Sequence, residues 1–187
     1  LKGASVAVQG FGNVGSAAAD FLHQFGAKIV AVSDVSGAYY CESGIDIPSL
    51  LEYVKTSPHH LIKGYRQDGI TEIDNYSLLT AKVDFLVLAA LENQITGEVA
   101  KAVQAKIVVE GANGPTTYEG NKVLVERGIT AVPDILTNCG GVVVSYFEWV
   151  QNMQHMAWDI DTVNNNLERI MVNSFNEVYE TAKEKNI

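Results

Sequence analysis

The residues of this 187-residue chain best placed to do chemistry are three glycines and one aspartate. In "GFGNVG", Gly10, Gly12 and Gly15 fall in a G-x-G-x-x-G spacing, directly after the apolar run "SVAVQ" and at the opening of a helical pattern. The first glycine permits a tight turn, the second lets backbone approach a pyrophosphate, and the third lets helix and strand pack closely. A helix starting there offers unpaired N–H groups and partial positive charge to phosphate oxygens. Asp34 ends the second apolar run, nineteen residues beyond Gly15. A carboxylate at that place accepts hydrogen bonds from the hydroxyls of an adenosine ribose. It would repel a 2′-phosphate, which favours NAD over NADP, while Ser33 and Ser36 flank it as donors that suit a phosphate. A tight turn without ligand and a solvated turn aspartate are the plain alternatives.

Further polar groups sit where later strands should end. Asn113 in "GANGPT" and Asn138 in "PDILTNCGG" can donate and accept, which suits a carboxamide or a ribose, although asparagine in a glycine-rich loop is also an ordinary turn former. From Val142 to Val150 apolar residues fall all round a helix, and such a helix is expected to be buried. Ser145 would then be a buried hydroxyl. It either bonds back to a carbonyl one turn earlier or meets a substrate lying beside the cofactor.

The elements that must carry these groups follow from periodicity. Residues 5–9, 28–33, 83–88, 106–110 and 128–132 read as strands, several of them apolar at consecutive positions as expected when both sheet faces are covered. Helical patterns alternate with them, so the expected fold is α/β: a Rossmann-like, doubly wound, mostly parallel sheet flanked by helices. Val14, Ala17, Ala18, Phe21, Leu22 and Phe25 form one apolar stripe to pack on the sheet, with Gly26 as its C-cap. Thr96 and Thr117 stand as N-caps. Pro48 opens a helix, and the mixed stretch 64–75 can hold a short edge strand. Val163, Leu167, Ile170, Met171, Ser174 and Val178 mark a long C-terminal helix. The whole chain reads as one dinucleotide-binding domain, its Rossmann core reaching about residue 152 and residues 153–187 forming a helical segment.

Composition narrows the partners. Net charge is −9 and no Lys/Arg cluster exceeds a pair, which argues against nucleic acid. No run of eighteen apolar residues is present, so no membrane span is expected. Cys41 and Cys139 are too far apart to suggest a disulfide framework or zinc site and read as free, buried thiols of a reducing compartment, the cytoplasm or an organellar matrix. His23, His59, His60 and His155 show no metal-ligand spacing. The chain opens on Leu1 and enters a strand within five residues, which reads as an excised piece.

"GFGNVG", "VSD", "AALENQIT", "ANGPTT" and "NCGGVVVSYFEWVQN", in this order and spacing, resemble the cofactor domain of glutamate dehydrogenases, within the family that includes leucine, phenylalanine and valine dehydrogenases. The resemblance runs from end to end of the chain. It implies that Phe11, Asn13 and Val14 lie on the pyrophosphate turn, that Ala89 and Ala90 pass near the nicotinamide ribose, and that Asn113 and Asn138 help hold ribose and nicotinamide. It also places Ser145 on the side-chain carboxylate of L-glutamate, with Val142 lining the same pocket. The family usually has Pro before the Ala-Ala pair, where this chain has Leu88. NADP-using and dual-specific members also keep an acid near the second strand. The implied reaction is oxidative deamination of L-glutamate to 2-oxoglutarate and ammonia, in a homohexamer. Its catalytic lysine and proton-shuttling acid are carried on a separate N-terminal domain that no motif here matches. The expectation is therefore a fragment that binds cofactor without turnover. A relative acting on another amino acid and a regulatory dinucleotide-sensing module are the alternatives.

Overall fold

Apolar runs separated by amphipathic stretches build a seven-stranded sheet in the computed structural model, which describes residues 1–185. The strands are β1 (Ser5–Gln9), β2 (Lys28–Asp34), β3 (Gly37–Tyr40), β4 (Thr71–Ile73), β5 (Phe85–Leu88), β6 (Ile107–Glu110) and β7 (Thr130–Val132). Their order is β4-β3-β2-β1-β5-β6-β7. β2, β1, β5, β6 and β7 run parallel, and β3 and β4 are added antiparallel at one edge. The doubly wound α/β fold expected from the sequence is present, with β4 inside the stretch that suggested an edge strand.

Strand alternation sends side chains to two cores, one on each face. Val6, Val8, Ile29, Val32 and Val87 meet Ala19 of α1 (Asn13–Gln24) and Ile47 and Leu50 of α2 (Ile47–Thr56). Ala7, Leu86, Leu88 and Val108 face the other way. They meet Leu78 and Leu79 of α3 (Asn75–Leu79), Ala100 of α4 (Gly97–Ala102) and Leu124 of α5 (Tyr118–Glu126). Both faces are covered, which explains why these strands read as continuous apolar runs.

The expected caps form. Thr96 accepts from the Val99 N–H at 3.3 Å and Thr117 from the Gly120 N–H at 3.0 Å. Gly26, at φ +84°, closes α1 with its N–H on the His23 carbonyl. The α1 stripe is turned from its expected setting. Gly15 and Ala19 are buried and Ala18 and Leu22 pack on the core, whereas Val14, Phe21 and Phe25 are exposed. Small residues at 15 and 19 let the helix sit close to the sheet, so this arc faces inward and the neighbouring arc of larger side chains faces out.

By internal packing the chain divides into two units, Leu1–Asp134 and the residues from Ile135 onward. The second holds most of α6 (Asp134–Thr137), all of α7 (Gly140–Gln154) and α8 (Ile160–Lys185). Leu167 and Met171 of α8 lie beside Gly140, and Phe147 is buried with its ring 5.5 Å from that of Trp158. The expectation that α7 is buried all round does not hold. Val142, Ser145, Tyr146 and Trp149 are exposed, because α8 covers only part of a helix that is apolar on every side.

No helix among the described residues is long and apolar enough to cross a membrane. Both cysteines are free: Cys41 is buried as expected, whereas Cys139 is only half-buried, its Sγ 3.2 Å from the Leu136 carbonyl oxygen.

Candidate functional site

The chain leaves β1 through α1 towards β2 on one side, then returns to β5 on the other side of β1. Connections diverging from one strand open a crevice at the strands' carboxyl ends, the place where such sheets bind ligands. A cleft of about 480 Å³ lies there. Residues 9–12 from the end of β1 onward, 33–35 at the end of β2 and 89–91 after β5 line it, with His60, Leu61, Asn75 and Gln94.

The glycines have separable tasks. A side chain on Gly10 would strike the Ala89 carbonyl oxygen, and one on Gly15 would strike the Gly10 carbonyl oxygen. These two close the turn against β5 and α1. A side chain on Gly12 would meet only open space, so steric packing inside the protein does not account for glycine there. Gly12 is also the N-cap of α1, makes no side-chain cap, and is followed by a first turn without an acid. The start of α1 therefore presents backbone donors beside the cleft that no N-cap side chain satisfies.

Asp34 is fixed from two directions. Its Oδ1 accepts from the backbone N–H and hydroxyl of Ser36, and its Oδ2 accepts from the Ile62 N–H at 2.8 Å. A carboxylate has about four acceptor positions, so room remains for a ribose hydroxyl. Asp34 is the one formally charged side chain among the described residues lining the cleft, and neither Lys nor Arg lines it. Ser33 is buried, its Oγ accepting the Gly10 N–H at 3.3 Å.

On the floor Gln9, 2% exposed, donates through Nε2 to Asn75 Oδ1 (2.9 Å) and Gln94 Oε1 (2.7 Å). These bonds tie the start of α3 and the loop after β5 to the end of β1. Gly10, Phe11, Gly12, Asp34, Ala89 and Ala90 thus line one cleft. Asn13, Val14 and Gly15 form the first turn of α1 rather than the cleft lining, and Asn113 lies on the exposed loop after β6. Gln9, Val35, His60, Leu61, Asn75, Leu91 and Gln94 complete the lining and were not singled out beforehand. No group of metal-ligating side chains occurs among the described residues.

The profile of the glutamate/leucine/phenylalanine/valine dehydrogenases matches residues 1–187. The chain belongs to this family. It is 50% identical to the cryptic catabolic NAD-specific glutamate dehydrogenase GudB of Bacillus subtilis over 187 residues, covering all of this chain and 43% of that protein. It is 51% identical to the NADP-specific glutamate dehydrogenase A1 of Halobacterium salinarum over 176 residues, 94% of this chain and 41% of that one. Among solved structures, the hetero-hexameric glutamate dehydrogenase of Thermus thermophilus superposes with a TM-score of 0.86 at 32% identity, covering 100% of this chain and 43% of that one. The chain thus spans less than half the length of the curated relatives it matches.

Before the Ala-Ala pair, Leu88 ends β5 with a fully buried side chain, and its carbonyl accepts the N–H groups of Gly111 and Ala112, both at 2.8 Å. In the second unit Asn138 precedes the N-cap residue Cys139, and Val142 and Ser145 lie on α7. The Ser145 hydroxyl donates to the Gly141 carbonyl at 3.0 Å, the back-bonded alternative of the sequence reading.

Proposed function

We propose that this chain is the dinucleotide-binding part of a glutamate dehydrogenase and that it prefers NAD to NADP. The observation that carries the preference is Asp34, the single formal charge lining the cleft, with no cation to receive a 2′-phosphate. The names of similar proteins do not decide it, since one is NAD-specific and another NADP-specific.

The residues present fit a dinucleotide. Gly12 and the uncapped first turn of α1 hold the pyrophosphate, Asp34 the adenosine ribose, and Ala89 and Ala90 border the nicotinamide ribose. Asn113 and Asn138 serve the ribose and carboxamide at the nicotinamide end. Bound nicotinamide supplies the acceptor for the hydride of the amino acid's α-carbon, and the protein supplies binding and orientation. Ser145, released from Gly141, donates to the side-chain carboxylate of L-glutamate, with Val142 beside it. The products are 2-oxoglutarate and ammonia. Acid–base groups belong to the remaining length of the enzyme, which works as a hexamer, so the 187-residue chain binds cofactor without turning over glutamate.

Parallel titrations with NADH and NADPH test this reading, followed by calorimetry and by the fluorescence of Trp149 and Trp158. NADH should bind more tightly by about tenfold or more, the ratio given by ~1.4 kcal/mol. Equal affinities would remove Asp34 from its assigned role, and binding of neither would remove the dinucleotide.

A further inference from the structure

His60 belongs to no motif, yet it and Leu61 line the cleft together with Asp34 and Val35. His59 and His60 both adopt left-handed backbone, at φ +67° and +55°, which is uncommon for residues other than glycine. The surrounding bonds hold this turn in place. The Ser57 hydroxyl donates to the Leu61 carbonyl at 2.9 Å, the His60 N–H reaches the Ser57 carbonyl at 3.2 Å, and the Ile62 N–H binds Asp34. The turn is therefore tied directly to the carboxylate assigned to the adenosine ribose.

The imidazole is also fixed in tautomer. Its Nδ1 lies 3.1 Å from the Val54 carbonyl oxygen, which can only accept, so Nδ1 carries the proton. In the neutral ring Nε2 is then an acceptor. The base attached to a ribose held at Asp34 hangs within one sugar's reach of that carboxylate, and Val35, 91% exposed, follows Asp34 directly in the lining.

Resting on the dinucleotide reading above, we propose that His60 selects the purine: Nε2 accepts a hydrogen bond from the 6-amino group of adenine. A 6-oxopurine presents an acceptor at that place. Meeting it would require Nε2 to carry the proton, at the expense of the bond to Val54.

The test compares NADH with reduced nicotinamide hypoxanthine dinucleotide, which carries a 6-oxo group and an N1–H in place of the 6-amino group and bare N1, by calorimetry on the chain and on two variants. His60→Gly removes the imidazole, and glycine adopts the same left-handed backbone without strain. His59→Gly alters the neighbouring left-handed residue, which does not line the cleft. The unmodified chain and His59→Gly should prefer NADH by about twofold to tenfold, the worth of one neutral hydrogen bond. In His60→Gly the ratio should fall to about one. Equal binding of the two nucleotides by the unmodified chain, or an unchanged ratio in His60→Gly, overturns the proposal. Binding of neither nucleotide instead overturns the dinucleotide reading on which it rests.

Discussion

Gly15 sits against the carbonyl oxygen of Gly10 so closely that no side chain fits between them. Gly15→Ala must push α1 away from the turn after β1. Overpacking of this kind costs ~1–3 kcal/mol, and urea denaturation should show it in the absence of any nucleotide. An unchanged midpoint would mean that the turn is softer than its geometry implies.

Gly12→Ala should behave in the opposite way. The added methyl meets open space, so the fold keeps its stability to within about 1 kcal/mol, the scale of an exchange at an N-cap. NADH affinity should drop by about tenfold or more, because the methyl would occupy the approach proposed for the pyrophosphate. A variant that loses stability and keeps its affinity would reverse the roles given to Gly12 and Gly15.

Acid sensitivity should trace in part to Asp84, where the chain enters β5. Lys106, 2.6 Å away, and then the N–H and hydroxyl of Ser5 hold its carboxyl down to about 2, below the ordinary 3.8. A carboxyl depressed in the folded state contributes stability that is fully present above its unfolded pKa and lost as pH falls through its folded one. Asp84→Asn should be less stable than the unmodified chain near neutral pH, with the gap closing between about pH 4 and about pH 2. Urea midpoints across that range decide it, and a gap independent of pH would assign the loss to packing.

His59 is an exposed left-handed residue with no place in the cleft lining. Replacing it with glycine removes backbone strain and should raise stability by about 0.5–1 kcal/mol after the entropic cost of glycine. A lower melting temperature would show that the His59 side chain contributes more than its backbone costs.

Ser145→Val, made in a full-length enzyme, should shift kcat/KM from glutamate towards apolar amino acids by about tenfold to a hundredfold, the worth of ~1.5–3 kcal/mol for a hydrogen bond to a charged group. The back-bond to Gly141 is lost as well, so melting temperature is read alongside. Unchanged selectivity with unchanged stability would leave that hydroxyl without a role.

Legibility followed the range of the interactions. Gly10, Gly12 and Asp34 were readable because a tight turn and a strand end are local events that constrain residue type at fixed spacing. Thr96 and Thr117 were readable for the same reason. β3 was not, since "GAYY" is short and lacks a two-residue polar alternation; it exists as a strand because it pairs with β2. His60, Asn75 and Gln94 reach the cleft from the turn after α2, the start of α3 and the loop after β5, brought together by tertiary packing rather than spacing. For α7, periodicity reports which faces are apolar and not which neighbours are present to cover them.

The three donors on Asp34 carry a consequence for how cofactor preference changes over evolutionary time. Even Asp34→Asn, which abolishes the negative charge, keeps only one of the two acceptor oxygens, so either Ser36 or the Ile62 N–H loses its partner and the wall holding His60 loosens. Switching preference is therefore epistatic. A replacement at 34 becomes tolerable only after residues 58–62 have found another anchor, and descendants that changed cofactor should carry paired differences at these two places.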